Sequence, residues 1–126
     1  MIDINRLSTP ALAYLGDSVL EVLVREALIL KGFEKSSTLN KEALKYVTAV
    51  NQCKAFSNIE NILTEVEIGV FRRGKNSSHL NIPKSASPAE YKIATGFEAV
   101  LGYLKLKGDN NRINELFSVA YPDIQV

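Results

Sequence analysis

Thr9-Pro10-Ala11-Leu12-Ala13-Tyr14-Leu15-Gly16-Asp17-Ser18-Val19-Leu20-Glu21-Val22-Leu23 is the stretch that decides the fold class. A cap-type residue precedes a proline, whose fixed φ suits the first turn of a helix. Leu12, Leu15, Val19, Leu23 and Ala27 then recur at the spacing of one helical face, and Gly32 stands just past the apolar run. The predicted helix is apolar on more than one side. Such a helix lies at the centre of a core, or half in the core and half against a partner.

Working outward, the same grammar repeats. A second helix is expected from Leu39 to Phe56, with Thr38 as its cap and Leu39, Ala43, Val47 and Val50 as its stripe. Ser57-Asn58-Ile59-Glu60 and Thr64-Glu65-Val66-Glu67 both have the spacing of a capping box. The second box opens a short helix that should run to Arg73 and stop at Gly74. Lys75 to Ala86 has no periodicity, and loops of this length in compact domains are often functional. Ser87-Pro88-Ala89-Glu90 restarts a helix with Tyr91, Ala94, Phe97, Leu101 and Leu104 on one stripe, ended by Gly108. A last helix spans Asn111 to Ala120, with Tyr91, Phe97 and also Tyr14 expected in the core. No stretch alternates as a strand would. The class is all-α, with residues 1–126 forming a single domain.

Composition excludes more than it identifies. The chain has 126 residues, with 15 Lys plus Arg against 14 Asp plus Glu, for a net charge of +1. That balance argues against a domain that coats nucleic acid by bulk charge. A lone cysteine, Cys53, excludes a disulfide framework and any multi-thiolate metal site, and reads as a small buried hydrophobe. The first residues lack a signal-peptide layout, and Asp17, Glu21, Arg25 and Glu26 interrupt the longest apolar run. A cytoplasmic protein with no membrane span is expected.

Two acids stand out for their neighbours. Asp17 sits inside the most apolar helix, and Glu98 sits in Gly96-Phe97-Glu98-Ala99-Val100-Leu101-Gly102. Asp is a poor helix-interior residue and a buried carboxylate needs a positive partner, of which a divalent cation is one. The alternative is that both acids lie on solvated faces, with Glu21 and Arg25 as an ordinary pair beside Asp17. Gly16 and Gly96 favour close packing at these places, since glycine inside a helix costs ~1 kcal/mol against alanine.

Arg72, Arg73, Lys75 and Asn76, with Lys84 further on, form the basic cluster. It could complement the helix dipole or contact phosphates. His79, the only histidine, reads as a solvated loop residue.

Ala13-Tyr14-Leu15-Gly16-Asp17-Ser18-Val19-Leu20-Glu21 resembles the signature helix of the ribonuclease III catalytic domain. Ala94-Thr95-Gly96-Phe97-Glu98-Ala99-Val100-Leu101-Gly102-Tyr103-Leu104 resembles that family's second acidic motif. The short length and Phe71-Arg72-Arg73-Gly74-Lys75-Asn76 resemble its Mini-III branch, which lacks a double-stranded-RNA-binding domain. Two further acids of the larger family's metal site would fall at Ala13 and Thr95, and the signature's first acid at Pro10. The resemblance implies Mg²⁺-dependent cleavage of double-stranded RNA, with Mn²⁺ as a substitute metal, 5′-phosphate products, and maturation of 23S ribosomal RNA precursor ends. Asp17 and Glu98 would bind the metal, and Arg72, Arg73, Lys75, Asn76 and Lys84 the RNA. Implied partners are the RNA, a second copy of the chain, since Val19 to Leu30 is more apolar than one core stripe needs, and an accessory ribosomal protein. The rival readings are a non-catalytic RNA-binding or ribosome-associated member of the fold, and an all-α protein–protein adaptor.

Overall fold

The computed structural model describes residues 3–77 and 86–125. Among these, six α-helices follow one another: α1 Thr9–Leu30, α2 Ser36–Val47, α3 Ala49–Ile59, α4 Glu65–Asn76, α5 Pro88–Lys107 and α6 Asn110–Ala120. Short 3-10 turns cover Ile4–Arg6, Glu60–Ile62 and Pro122–Ile124, and no strand occurs among the described residues. None of these helices is long and apolar enough to cross a membrane.

Local chemistry explains most of the helix ends. Both full capping boxes form as expected: Thr64 and Ser87 accept from the backbones of Glu67 and Glu90, whose carboxylates return to the cap N–H groups. Gly108, at φ 80°, closes α5 in the left-handed region that glycine enters most readily. The cap of α1, however, is Ser8, which accepts from Ala11 N–H at 3.3 Å, so Thr9 is already helical. Asp109 caps α6 and starts it at Asn110.

The expected single helix from Leu39 to Phe56 is two helices. It begins earlier, at Ser36, and breaks at Thr48, whose φ −68° and ψ 155° are extended. There the hydroxyl of Thr48 accepts from Asn51 N–H, so α3 starts with a cap of its own. Ser57 caps nothing: α3 continues through it to Ile59, and the hydroxyl donates back to the Lys54 carbonyl. Gly74 does not stop α4 either. It is buried inside the helix, where a β-carbon would lie 2.8 Å from Ala99 Cβ and 3.0 Å from Gly96 Cα. Its role is packing, because it lets α4 approach α5.

Helix α5 is the axis of the core and touches α1, α3, α4 and α6. Phe97, Leu101, Val100, Leu12 and Leu20 are all essentially inaccessible to solvent, and each such side chain contributes ~1.5–3 kcal/mol by its burial. Tyr121 packs against Phe97 and Phe117, and its hydroxyl donates to the Tyr46 carbonyl at 2.9 Å. Cys53 is half-buried, and burial pushes its thiol up. Tyr14, expected in the core, is 83% exposed. Its position on α1 points outward because the opposite side, Leu12, Gly16 and Leu20, meets α5.

An ion pair joins α4 to α6. Arg112 Nε and Nη2 donate to the two oxygens of Glu67 at 2.9 and 2.8 Å, and Nη2 also reaches the Ile62 carbonyl. Burial alone would raise the Glu67 carboxyl, but the hydrogen bonds and charge of Arg112, with those from Thr64, hold it below its ordinary value of 4.5. A lowered folded value means this stabilisation is complete above the unfolded value and is lost as pH falls through the folded one. Acid should therefore lower the melting temperature of the native protein more than that of Glu67→Gln. Parallel melting curves from pH 6 downwards test this; identical pH profiles would remove the pair from the ledger of acid stability.

Candidate active site

The site arises where α1 crosses α5. A β-carbon on Gly16 would overlap the carbonyl oxygen of Glu98, and one on Gly102 would overlap that of Leu12. Both glycines are needed because the two helices pass with their backbones in contact. The residue after Gly16 is Asp17, so the crossing itself delivers the Asp17 carboxylate to Glu98. The two side chains share a hydrogen bond.

The two acids differ in surroundings. Asp17 is exposed, as its solvated reading expects, while Glu98 is half-buried. Burial first, then the hydrogen bond and charge of Asp17, push the Glu98 carboxyl up to about 8, against a small opposing effect from Gln52. Two carboxylates in contact cannot both ionise cheaply. A proton shared between them relieves the repulsion, and so does a divalent cation.

Donor chemistry fits a hard cation. Mg²⁺ is commonly held by one or two carboxylates, with water and substrate phosphate completing its shell. Among the described residues no group of three His, Cys, Asp or Glu side chains gathers anywhere, so Asp17 and Glu98 stand as a pair. Ala13 is buried and apolar, and the Thr95 hydroxyl is committed to the Tyr91 carbonyl at 2.9 Å. Neither position adds a carboxylate to the set.

Gln52 of α3 is the site residue that the sequence does not reveal. Its Nε2 donates to Glu98 Oε2 at 3.3 Å and to the Val47 carbonyl at 2.9 Å. Only recognition of Thr48 as a cap would have turned Gln52 towards α5. Burial, and then the charge of Glu98, push the Tyr121 phenol up.

The basic cluster occupies the last turns of α4. Arg72, Arg73, Lys75 and Asn76 are all exposed, whereas Lys84 and His79 fall outside the described residues. Arg72 and Lys75 border a groove of about 410 Å³ whose wall includes Phe56 and Phe71, stacked at 4.1 Å. Gly96 makes room for the Phe71 ring, which a β-carbon there would meet at 2.6 Å. Thr9 Oγ1 donates to the Arg73 carbonyl at 3.4 Å, tying this end of α4 to the start of α1. Asp17 lies eight residues further along α1, ~12 Å at the helical rise.

Residues 10–109 match the Ribonuclease III domain family. The chain is 44% identical over 118 residues to Mini-ribonuclease 3 of Symbiobacterium thermophilum, covering 92% of this chain and 91% of that one. It is 40% identical over 120 residues to Mini-ribonuclease 3 of Streptococcus pneumoniae, covering 94% of each. The X-ray crystal structure of protein FN1578 from Fusobacterium nucleatum superposes with a TM-score of 0.85 at 32% identity, covering 94% of this chain and 97% of that one.

Proposed function

The chain belongs to the ribonuclease III family and is an endoribonuclease of double-stranded RNA; on that premise, we propose that Asp17 and Glu98 form its divalent-metal site. The observation that carries the assignment is the contact between the two carboxylates at the glycine crossing of α1 and α5. A bound Mg²⁺, or Mn²⁺ in its place, would supply an activated water and charge stabilisation at the scissile phosphate. The protein's own part is to hold two acidic oxygen donors side by side, one at the surface and one partly sheltered. Similarity over more than nine-tenths of the chain to proteins named Mini-ribonuclease 3 supports a cytoplasmic enzyme that matures the ends of 23S ribosomal RNA precursor.

Incubation of the purified protein with long duplex RNA and Mg²⁺ tests the reading. Cleavage to 5′-phosphate ends is expected. Binding without cleavage at any metal concentration would favour a non-catalytic member of the fold, and neither binding nor cleavage an adaptor.

Arg72, Arg73, Lys75 and Asn76 form the RNA grip in this reading, exposed and clustered where α4 ends. Contacts to phosphate give affinity without sequence preference, as duplex RNA recognition by shape requires. Replacing Arg72 and Arg73 together by Gln should weaken binding to unrelated duplexes alike. The slope of log affinity against log salt should flatten by roughly one unit per lost phosphate contact. An unchanged slope would move the grip elsewhere.

A second copy of the chain is the partner we assign to the outer side of α1. Tyr14 and Val22 are exposed there, and Leu15, Val19 and Leu23 line a groove of about 350 Å³ that Ile113 of α6 also borders. A two-fold axis would pair this surface with itself and set one metal site against each RNA strand. Sedimentation at micromolar concentration should give twice the monomer mass, falling to the monomer in Val22→Lys. A monomeric native protein would overturn the assignment.

A further inference from the structure

We propose that Gln52 is a positioning residue of the metal site, an uncharged clamp that holds the Glu98 carboxylate ready to bind the cation. The inference rests on the assignment of Asp17 and Glu98 made above. Both partners of the Gln52 amide nitrogen, Glu98 Oε2 and the Val47 carbonyl, are acceptors. Only an NH₂ group can satisfy the two together, which fixes the orientation of the amide. Its Oε1 is left buried without a partner, on a side chain only 3% exposed. A buried, unpaired acceptor is unfavourable, and an apolar side chain of the same length would avoid it. What glutamine contributes instead is the pair of donors, one of them on Glu98.

The backbone is arranged to make this clamp. In an uninterrupted helix the Val47 carbonyl would accept the N–H of Asn51, four residues on. The break at Thr48 gives that N–H to the Thr48 hydroxyl at 3.4 Å and leaves the Val47 carbonyl to the Gln52 amide. Helix α3 then resumes with Gln52 N–H on the Thr48 carbonyl at 2.8 Å. One kink therefore ends α2, starts α3 and anchors the far side of the clamp. Pinning Oε2 restricts the rotation of the carboxylate, so less freedom is lost when a metal binds, as with the outer-shell partners of other metal ligands. Lysine or arginine could pin it too, but would set a competing charge beside the cation. Glutamine pins it without charge.

The test uses the whole chain with Gln52→Leu, Gln52→Met and Gln52→His, alongside Asp17→Asn. Mn²⁺ affinity is measured calorimetrically without RNA, and cleavage is followed as Mg²⁺ is raised. Leu and Met should keep or raise the melting temperature and lower Mn²⁺ affinity ~10–100-fold. Their cleavage deficit should shrink at high Mg²⁺ with KM for RNA unchanged, because Gln52 is out of reach of the surface. His, which retains a ring N–H donor, should recover part of the Mn²⁺ affinity. Unchanged Mn²⁺ affinity in Leu and Met, with Asp17→Asn defective, makes Gln52 a packing residue and leaves the metal site standing. Normal Mn²⁺ binding by Asp17→Asn removes the site and the clamp together. Unfolding of both apolar variants would show a structural requirement and also overturn the proposal.

Discussion

Glu98→Gln should abolish cleavage of duplex RNA while leaving the metal-free protein at least as stable as the native one. The amide keeps the size of the carboxyl, can accept from Gln52 with its oxygen and can donate to Asp17 with its nitrogen. It removes the ionisable group that burial first, and then the hydrogen bond and charge of Asp17, push up to about 8. A raised folded value means that stability is greatest below the ordinary value of 4.5 and is lost as pH rises through about 8. The melting temperature of the native metal-free protein should thus fall between pH 5 and pH 9, and that of Glu98→Gln should fall less. Cleavage should drop by more than the roughly 10–100-fold that loss of an outer-shell partner costs, because a metal ligand itself is gone. Asp17→Asn should match it in activity. Near-normal single-turnover rates in either variant would place the metal elsewhere.

Gly16→Ala should cost both the fold and the activity, from a single methyl group. The new β-carbon would overlap the backbone carbonyl of Glu98, which has no rotamer to move into. Helices α1 and α5 would have to separate, and overpacking of this kind costs ~1–3 kcal/mol, or more where backbone is struck. The same separation pulls Asp17 away from Glu98, so cleavage should fall even where the protein remains folded. Gly69→Ala is the control: nothing lies within 4 Å of a β-carbon there, and the helix should gain up to ~1 kcal/mol. Chemical denaturation and single-turnover cleavage measure the two quantities. An alanine at position 16 with native stability and native rate would break the link between crossing and site.

Much of this was legible along the chain, and the parts that were not share a cause. Thr64 and Ser87 announced their helices because a capping box involves residues only three apart. Asp17 and Glu98 stood out for their apolar neighbours, and Gly16 and Gly96 for their expense in a helix. Thr48 gave no such sign: its break lies inside a run with continuous helical periodicity, and what rewards the break is a carbonyl passed to Gln52. Glu67 was readable as a cap box member and unreadable as the partner of Arg112, 45 residues away. Along the chain Gly74 reads as a stop, because its packing partners, Ala99 and Gly96 on another helix, are remote in sequence.

By itself, then, the order of amino acids determined the all-α class, the helices with self-contained caps, the two acids and the basic end of α4. These follow from interactions within a turn or two of helix, which any stretch of chain carries with it. Only the tertiary structure decided that Tyr14 faces outward, that Gln52 faces Glu98, and that the two acids touch. Each of those depends on which helix arrives opposite: two glycines let α1 and α5 meet backbone to backbone, and the break at Thr48 starts the helix that brings Gln52 to Glu98.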